Sequence, residues 1–285
     1  MARYKLENEY IAIEVEEHGA ELKSLVRKAT GYEYMWKADP KFWGRTSPVL
    51  FPFVGAVKDK VFRTKGQTFS MGQHGFARDM DFKLTLQTED TLWFELDSDE
   101  ETLEKYPYTF VLKIGYQLVE NKVNVMWKVE NPGSEVLPFS IGGHPAFNRQ
   151  PGCKLLFDVD GPIKSRTITG GLAGDSYEAY PLQDKYLEVT EHLFDKDALV
   201  IEHQAVHEIS LCNAAGQPYL TVTMDTPLLG IWSPAGADVP FVCIEPWYGR
   251  CDSVDFDGEL SEREYGHLLM AGDIWQAQYT ITAVR

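Results

Sequence analysis

The chain has 285 residues, with 27 basic against 43 acidic side chains and a formal net charge of −16. A surface of that sign repels phosphate backbones and anionic lipid, which argues against nucleic acid and membrane surfaces as partners. At 44% hydrophobic and 25% charged residues, the composition is that of a globular protein able to bury a large core, not of a disordered one.

The N-terminal MARYKLENEYIAIEVEEHG has no apolar run of signal-peptide type. No stretch approaches the roughly 18 apolar residues of a membrane helix, so the expected location is the cytoplasm. The four cysteines, Cys153, Cys212, Cys243 and Cys251, include no C-x-x-C pair, and none falls at zinc-ligand spacing with a histidine. This predicts free thiols in a reducing setting and no metal. Cys243, inside an apolar run, reads as a small core residue. No Gly-rich phosphate loop and no G-x-S-x-G elbow occurs, so no cofactor is expected.

Taken in chain order, the dominant signal has period two. Residues 11–16, 82–87 and 91–97 alternate apolar with polar. Residues 99–106 predict one short helix, stopped by Pro107. Phe110, Leu112, Ile114, Tyr116 and Leu118, then Val123, Val125, Trp127 and Val129, read as two strands joined at Glu120–Asn121, a hairpin over 109–130. Ala277, Tyr279, Ile281 and Ala283 alternate with Gln276, Gln278, Thr280 and Thr282. Alternation means one buried and one wetted face. With helices nearly absent, the expectation is an all-β fold, a large antiparallel β-sandwich forming one domain over residues 1–285. The segments 39–60 and 160–182 read as long connections, where function often sits.

Four segments break the alternation. In 44–55, GRTSPVLFPFVG, the prolines place the chain at an edge or in a loop, and Arg45 lies beside Trp43 and Phe51, a combination suited to sugar hydroxyls or an anion. In 72–79, GQHGFARD, His74 precedes a glycine that permits close backbone approach, and Arg78 follows four residues later. In 141–148, IGGHPAFN, two glycines clear space around His144, and Pro145 holds it extended. In 241–250, FVCIEPWYGR, four apolar residues lead into Glu245, with Pro246 expected to end the strand. A carboxylate at that position is partly desolvated, which raises its pKa and suits a general base. Trp247 and Tyr248 offer faces for a pyranose. A bland alternative pairs Glu245 with Arg250 or Arg45. His18, His192, His203, His207 and His267 read as mostly solvated.

Taken together and in this order, the Arg, the His-Gly-Phe-Ala-Arg, the Gly-Gly-His-Pro-Ala-Phe and the Ile-Glu-Pro-Trp resemble the aldose 1-epimerase superfamily, in its bacterial galactose mutarotase-related branch. The similarity spans about residues 5–284. It implies the galactose mutarotase-like supersandwich and an isomerase that interconverts the α and β anomers of a hexose. It implies Glu245 as base, His144 as acid at the ring oxygen, His74 and Arg45 as sugar ligands, and an Asp from a middle strand, Asp197 or else Asp195. Arg78, Trp247 and Trp232 complete the substrate-binding set. The Phe-Ala-Arg after His-Gly departs from classical galactose mutarotases and looks more like hexose-6-phosphate mutarotases, where arginines bind phosphate. The implied partner is a small-molecule sugar, free or phosphorylated, and exposed sheet edges allow a homodimer. The alternatives are a non-catalytic sugar-binding or sensor protein on the same fold and, last, a glycoside hydrolase, for which Glu245 lacks an evident second carboxylate.

Overall fold

The computed structural model of the chain describes residues 2–236 and 239–284. Two large antiparallel sheets dominate it, one of nine strands and one of eight. The predicted hairpin lies at the heart of the first. Val111–Val119 pairs with Lys122–Glu130, which pairs in turn with Ile274–Ala283. The register sets Leu118 and Ile281 beside Val123, and Tyr116 and Tyr279 beside Val125. Each apolar set therefore stacks across three strands and turns inward. These side chains are buried, at about 1.5–3 kcal/mol each for the larger ones. A single hydrophobic cluster joins them to Leu229, Ile231, Val242 and Ile244 of the eight-stranded sheet. The result is the expected all-β sandwich.

The one α-helix among the described residues is Glu100–Lys105, capped by Asp99, whose carboxylate accepts from the Thr102 amide. It ends before Pro107, as the sequence indicates. Val49–Leu50 forms an edge strand of the eight-stranded sheet, the position its flanking prolines demand. Among the described residues no helix is long and apolar enough to cross a membrane. All four cysteines are free and buried.

Three expectations are corrected. First, 160–182 is not an open connection. Ile163–Thr169 pairs with Leu172–Tyr180 around a Gly170–Gly171 turn, and its period is blurred by a register shift between Arg166 and Ile168. Second, Pro246 does not end its strand, which runs Phe241–Tyr248. The neighbouring strand is itself broken at His144–Pro145, between Ile141–Gly143 and Ala146–Asn148. Third, His267 is not solvated. It packs among Phe139, Tyr248 and Trp275, and burial pulls its pKa down to about 4.

Candidate active site

The strand Phe241–Tyr248 is buried on both faces, so its sequence shows no alternation, yet its side chains divide strictly. Val242 and Ile244 join the main core. Phe241 and Cys243 enter a small outer cluster with Trp36 and Ala146, and Trp247 a second one with Leu50, Val200 and Leu228. Glu245 projects between these two outer clusters and is only 1% exposed.

On one side of Glu245 stands Gly230. On the other, Gly142 faces Trp247 and Ala146 faces Cys243, and continuing either register puts His144 opposite Glu245. The Nε2 of His144 lies 3.3 Å from Glu245 Oε2. The glycines are spatial requirements here. A Cβ on Gly230 would meet the Trp247 ring at 2.5 Å, and one on Gly142 would meet it at 2.6 Å. Trp247 thus lies across both positions beside the carboxylate. The His144 ring is stacked on Trp43, with centroids 4.7 Å apart, and Trp232 meets its edge.

Eight of the residues singled out in the sequence line one cavity of about 470 Å³: Arg45, His74, Arg78, His144, Asp197, Trp232, Glu245 and Trp247. Asp197 sits in a bend just before the strand Leu199–Ile201, not within a strand. Asp195 is outside the cavity and pairs with His192 at 2.9 Å. Phe51 and Tyr248 also fall elsewhere. Phe51 is buried in the main core, and Tyr248 packs beside Trp127 and Trp275. Trp43, Gln73 and Cys251 join the lining. The adjacency of Trp43 to Arg45 was a signal for the first, and nothing local marks the other two.

Glu245 does not form the alternative ion pairs. Arg45 binds Asp79 at 2.7 Å. Arg250 pairs with Glu202 at 2.8 Å and with Glu264. Glu202 also receives Arg166 at 2.7 Å and the Tyr177 hydroxyl at 2.5 Å.

Electrostatics follow from burial. Desolvation pushes Glu245 well above the usual carboxylate range; the Trp247 side chain opposes this, and the charge of Asp197 adds to it. Desolvation, with the charges of Arg78 and Arg45, pulls His144 down to about 3. The two groups face each other at 3.3 Å with no hydrogen bond at Glu245 Oε2, and burial disfavours charge on both. His74 is different. The Gly55 amide donates to its Nδ1 at 3.1 Å, which leaves the proton on Nε2. Burial and the neighbouring His144, Arg78 and Arg45 keep it neutral. Its backbone lies at φ 68°, a left-handed conformation held by the Gly55 contacts. His74 is therefore a fixed hydrogen-bond donor.

Gly55 carries the link from this histidine to the ion network. It has φ +73°, and a Cβ there would lie 2.5 Å from the Cys251 nitrogen. Gly55→Ala should cost about 1–3 kcal/mol through strain and overpacking. It should raise KM more than it lowers kcat, because it frees His74. Steady-state kinetics with a melting curve checks this; an unchanged KM would detach His74 from the ligand.

The comparisons concern the family and the fold. Residues 2–265 match the family model described as aldose 1-epimerase. The chromosomal protein LacX of Lactococcus lactis subsp. lactis is 28% identical, with 98% of each chain covered. A galactose mutarotase related enzyme from Lactobacillus acidophilus has a TM-score of 0.94 at 32% identity, covering 100% of this chain and 98% of its own. A galactose mutarotase-like protein from Lactobacillus casei ATCC 334 has a TM-score of 0.93 at 29% identity, with 99% of each covered. The family match over residues 2–265, on a galactose mutarotase-like sandwich matched along nearly its whole length, identifies the chain as a member of the aldose 1-epimerase family.

Proposed function

We propose that the protein is a mutarotase, interconverting the α and β anomers of a hexose with Glu245 as base and His144 as acid. The observation that carries this is the 3.3 Å approach of the two groups inside a sugar-sized cavity. With one proton on the pair, passing it from Glu245 to His144 creates a carboxylate and an imidazolium without exchange with solvent. The carboxylate takes the proton of the anomeric hydroxyl as the imidazolium protonates the ring oxygen, and the C1–ring oxygen bond breaks. The open-chain aldehyde then faces a neutral acid and a neutral imidazole, the proton arrangement that burial favours. Rotation about C1–C2 and the reverse transfers close the ring on its other face. His74 and Asp197 bind hydroxyls, and Trp43, Trp232 and Trp247 offer apolar faces to the ring. Each positioned acid or base contributes about 10²–10⁴-fold.

A second reading concerns the substrate. Arg78 Nε is buried without a hydrogen-bond partner, its ion pair with Asp79 being long at 3.7 Å, and Arg45, held by the same Asp79, also lines the cavity. Two guanidiniums in one cavity of an acidic protein favour a substrate with an anionic substituent, such as a hexose 6-phosphate.

Exchange measured by NMR or polarimetry across glucose, galactose and glucose 6-phosphate tests both. Acceleration of any anomer supports the mutarotase; binding without acceleration favours a sugar sensor. The pH profile is a sharper check. The active pair carries one proton. A second proton joins only in the acid range, since His144 is drawn down to about 3. The shared proton is lost only above the normal carboxylate range, since Glu245 is raised. The expected profile of kcat/KM is level through mildly acidic pH, with no loss of activity on acidification through the ordinary histidine pKa of about 6.5. An acid limb there would contradict the paired-proton mechanism.

A further inference from the structure

Cys243 has no part in the proton shuttle, yet it reaches both groups that do. One ligand atom each from His144, Cys243 and Glu245 lie within 4.8 Å of one another, and all three residues are buried. The sheet dictates this. Cys243 and Glu245 are two residues apart on one strand and share a face, while His144 stands across from Glu245. Glu245 Oε2, which faces His144 Nε2 at 3.3 Å, is buried with no hydrogen-bond partner, and so is Nδ1 of the same imidazole. The three residues thus lie together through strand pairing alone, with no spacing in the sequence to mark them.

We propose that His144, Cys243 and Glu245 form a site for a thiophilic divalent cation, zinc or cadmium, that bridges the carboxylate and the imidazole and blocks anomer exchange. A nitrogen, a thiolate and one carboxylate oxygen suit such an ion, whereas magnesium and calcium take oxygen-rich sets. Three protein ligands with a fourth position open to the cavity is an arrangement zinc adopts. Zinc bond lengths of about 2.0–2.3 Å put ligand atoms roughly 3.3–3.8 Å apart, so side-chain rotations of about an ångström complete the site. Binding expels the thiol proton and the proton shared by His144 and Glu245, leaving a neutral assembly of one dication, one thiolate, one carboxylate and one imidazole. The metal and the sugar then compete for the same two groups. The blocking effect rests on the mutarotase reading; the binding itself does not.

The test titrates the full-length, metal-free protein with Cd²⁺, following the ultraviolet charge-transfer band of a cadmium thiolate. One equivalent should develop the band. Cys243→Ser and Cys243→Ala should each abolish it and weaken binding at least about tenfold. Cys251→Ser, whose thiol also lines the cavity, should keep it. Zn²⁺ should suppress anomer exchange reversibly by chelator in the native protein, and Cys243→Ser should resist it. No band in the native protein, or a band that survives both Cys243 variants, overturns the site. Cadmium binding by a protein without exchange activity would leave the site standing and remove the mutarotase reading instead.

Discussion

Glu245→Gln should lower kcat for anomer exchange by about 10²–10⁴-fold while sugar affinity changes little. The amide keeps the shape of the carboxylate between Trp247 and His144 but cannot accept the hydroxyl proton, nor pass one to His144 across 3.3 Å. Because the two side chains act as one proton-sharing unit, adding His144→Asn to Glu245→Gln should cost little more than either change alone. Stability should move the other way. The folded pKa of Glu245 lies above its unfolded value, so its ionisable form adds stability below the unfolded pKa and loses it as pH rises through the folded one. At neutral and alkaline pH, Glu245→Gln should therefore melt no lower than the native protein. Exchange NMR and a melting curve on the same sample decide the matter. Native turnover in a folded Glu245→Gln protein would remove this carboxylate from the chemistry.

The largest loss of stability is expected from Glu202→Ala. Its side chain is fully buried and holds Arg166 and Arg250, the latter only 3% exposed. Removing one partner of such a cluster strands the other charges, at about 3–5 kcal/mol. Burial alone would raise the pKa of Glu202. The bonds from Arg166 and Tyr177 and the charge of Arg250 outweigh it and bring the pKa below the usual value. The sign is thus opposite to that of Glu245. Glu202 stabilises above its unfolded pKa, and that contribution fades as pH falls through the folded one. The gap in melting temperature between native and Glu202→Ala proteins should be widest near neutrality and shrink in acid. The fault should also reach the cavity, since Arg250 leads into Cys251 and Asp252, whose backbone abuts Gly55 and Ala56. A raised KM should accompany the instability. Native stability at neutral pH would show the cluster to be energetically idle.

The strands with one wetted face were legible because alternation reports a half-buried sheet directly. Val123, Val125, Trp127 and Val129 are an instance, and all four are buried. Where both faces are covered, as in Phe241–Tyr248, the same rule falls silent, and Pro246 suggested a strand end that does not exist. Its missing amide is tolerated because the neighbouring strand breaks at His144–Pro145, a fact about pairing that no local window contains. The hairpin at 163–180 was hidden for a related reason. Its register shift and partly exposed faces erase the period, leaving only Gly170–Gly171 as a mark. Tyr248 was misjudged beside Trp247 because adjacent residues of a strand look alike in composition but point to opposite faces.

The sequence by itself determined the fold class and the chemical types available, because period-two burial and the arrangement of prolines and glycines around His144 and Glu245 are properties of short segments. Tertiary structure decided which of these groups meet. Only the pairing of distant strands sets His144 against Glu245, brings Cys243 beside them, takes Arg250 to Glu202 instead of Glu245, and chooses Asp197 over Asp195. Contacts of that kind depend on register and on which face a residue presents, and both are fixed only when the sheets close on each other.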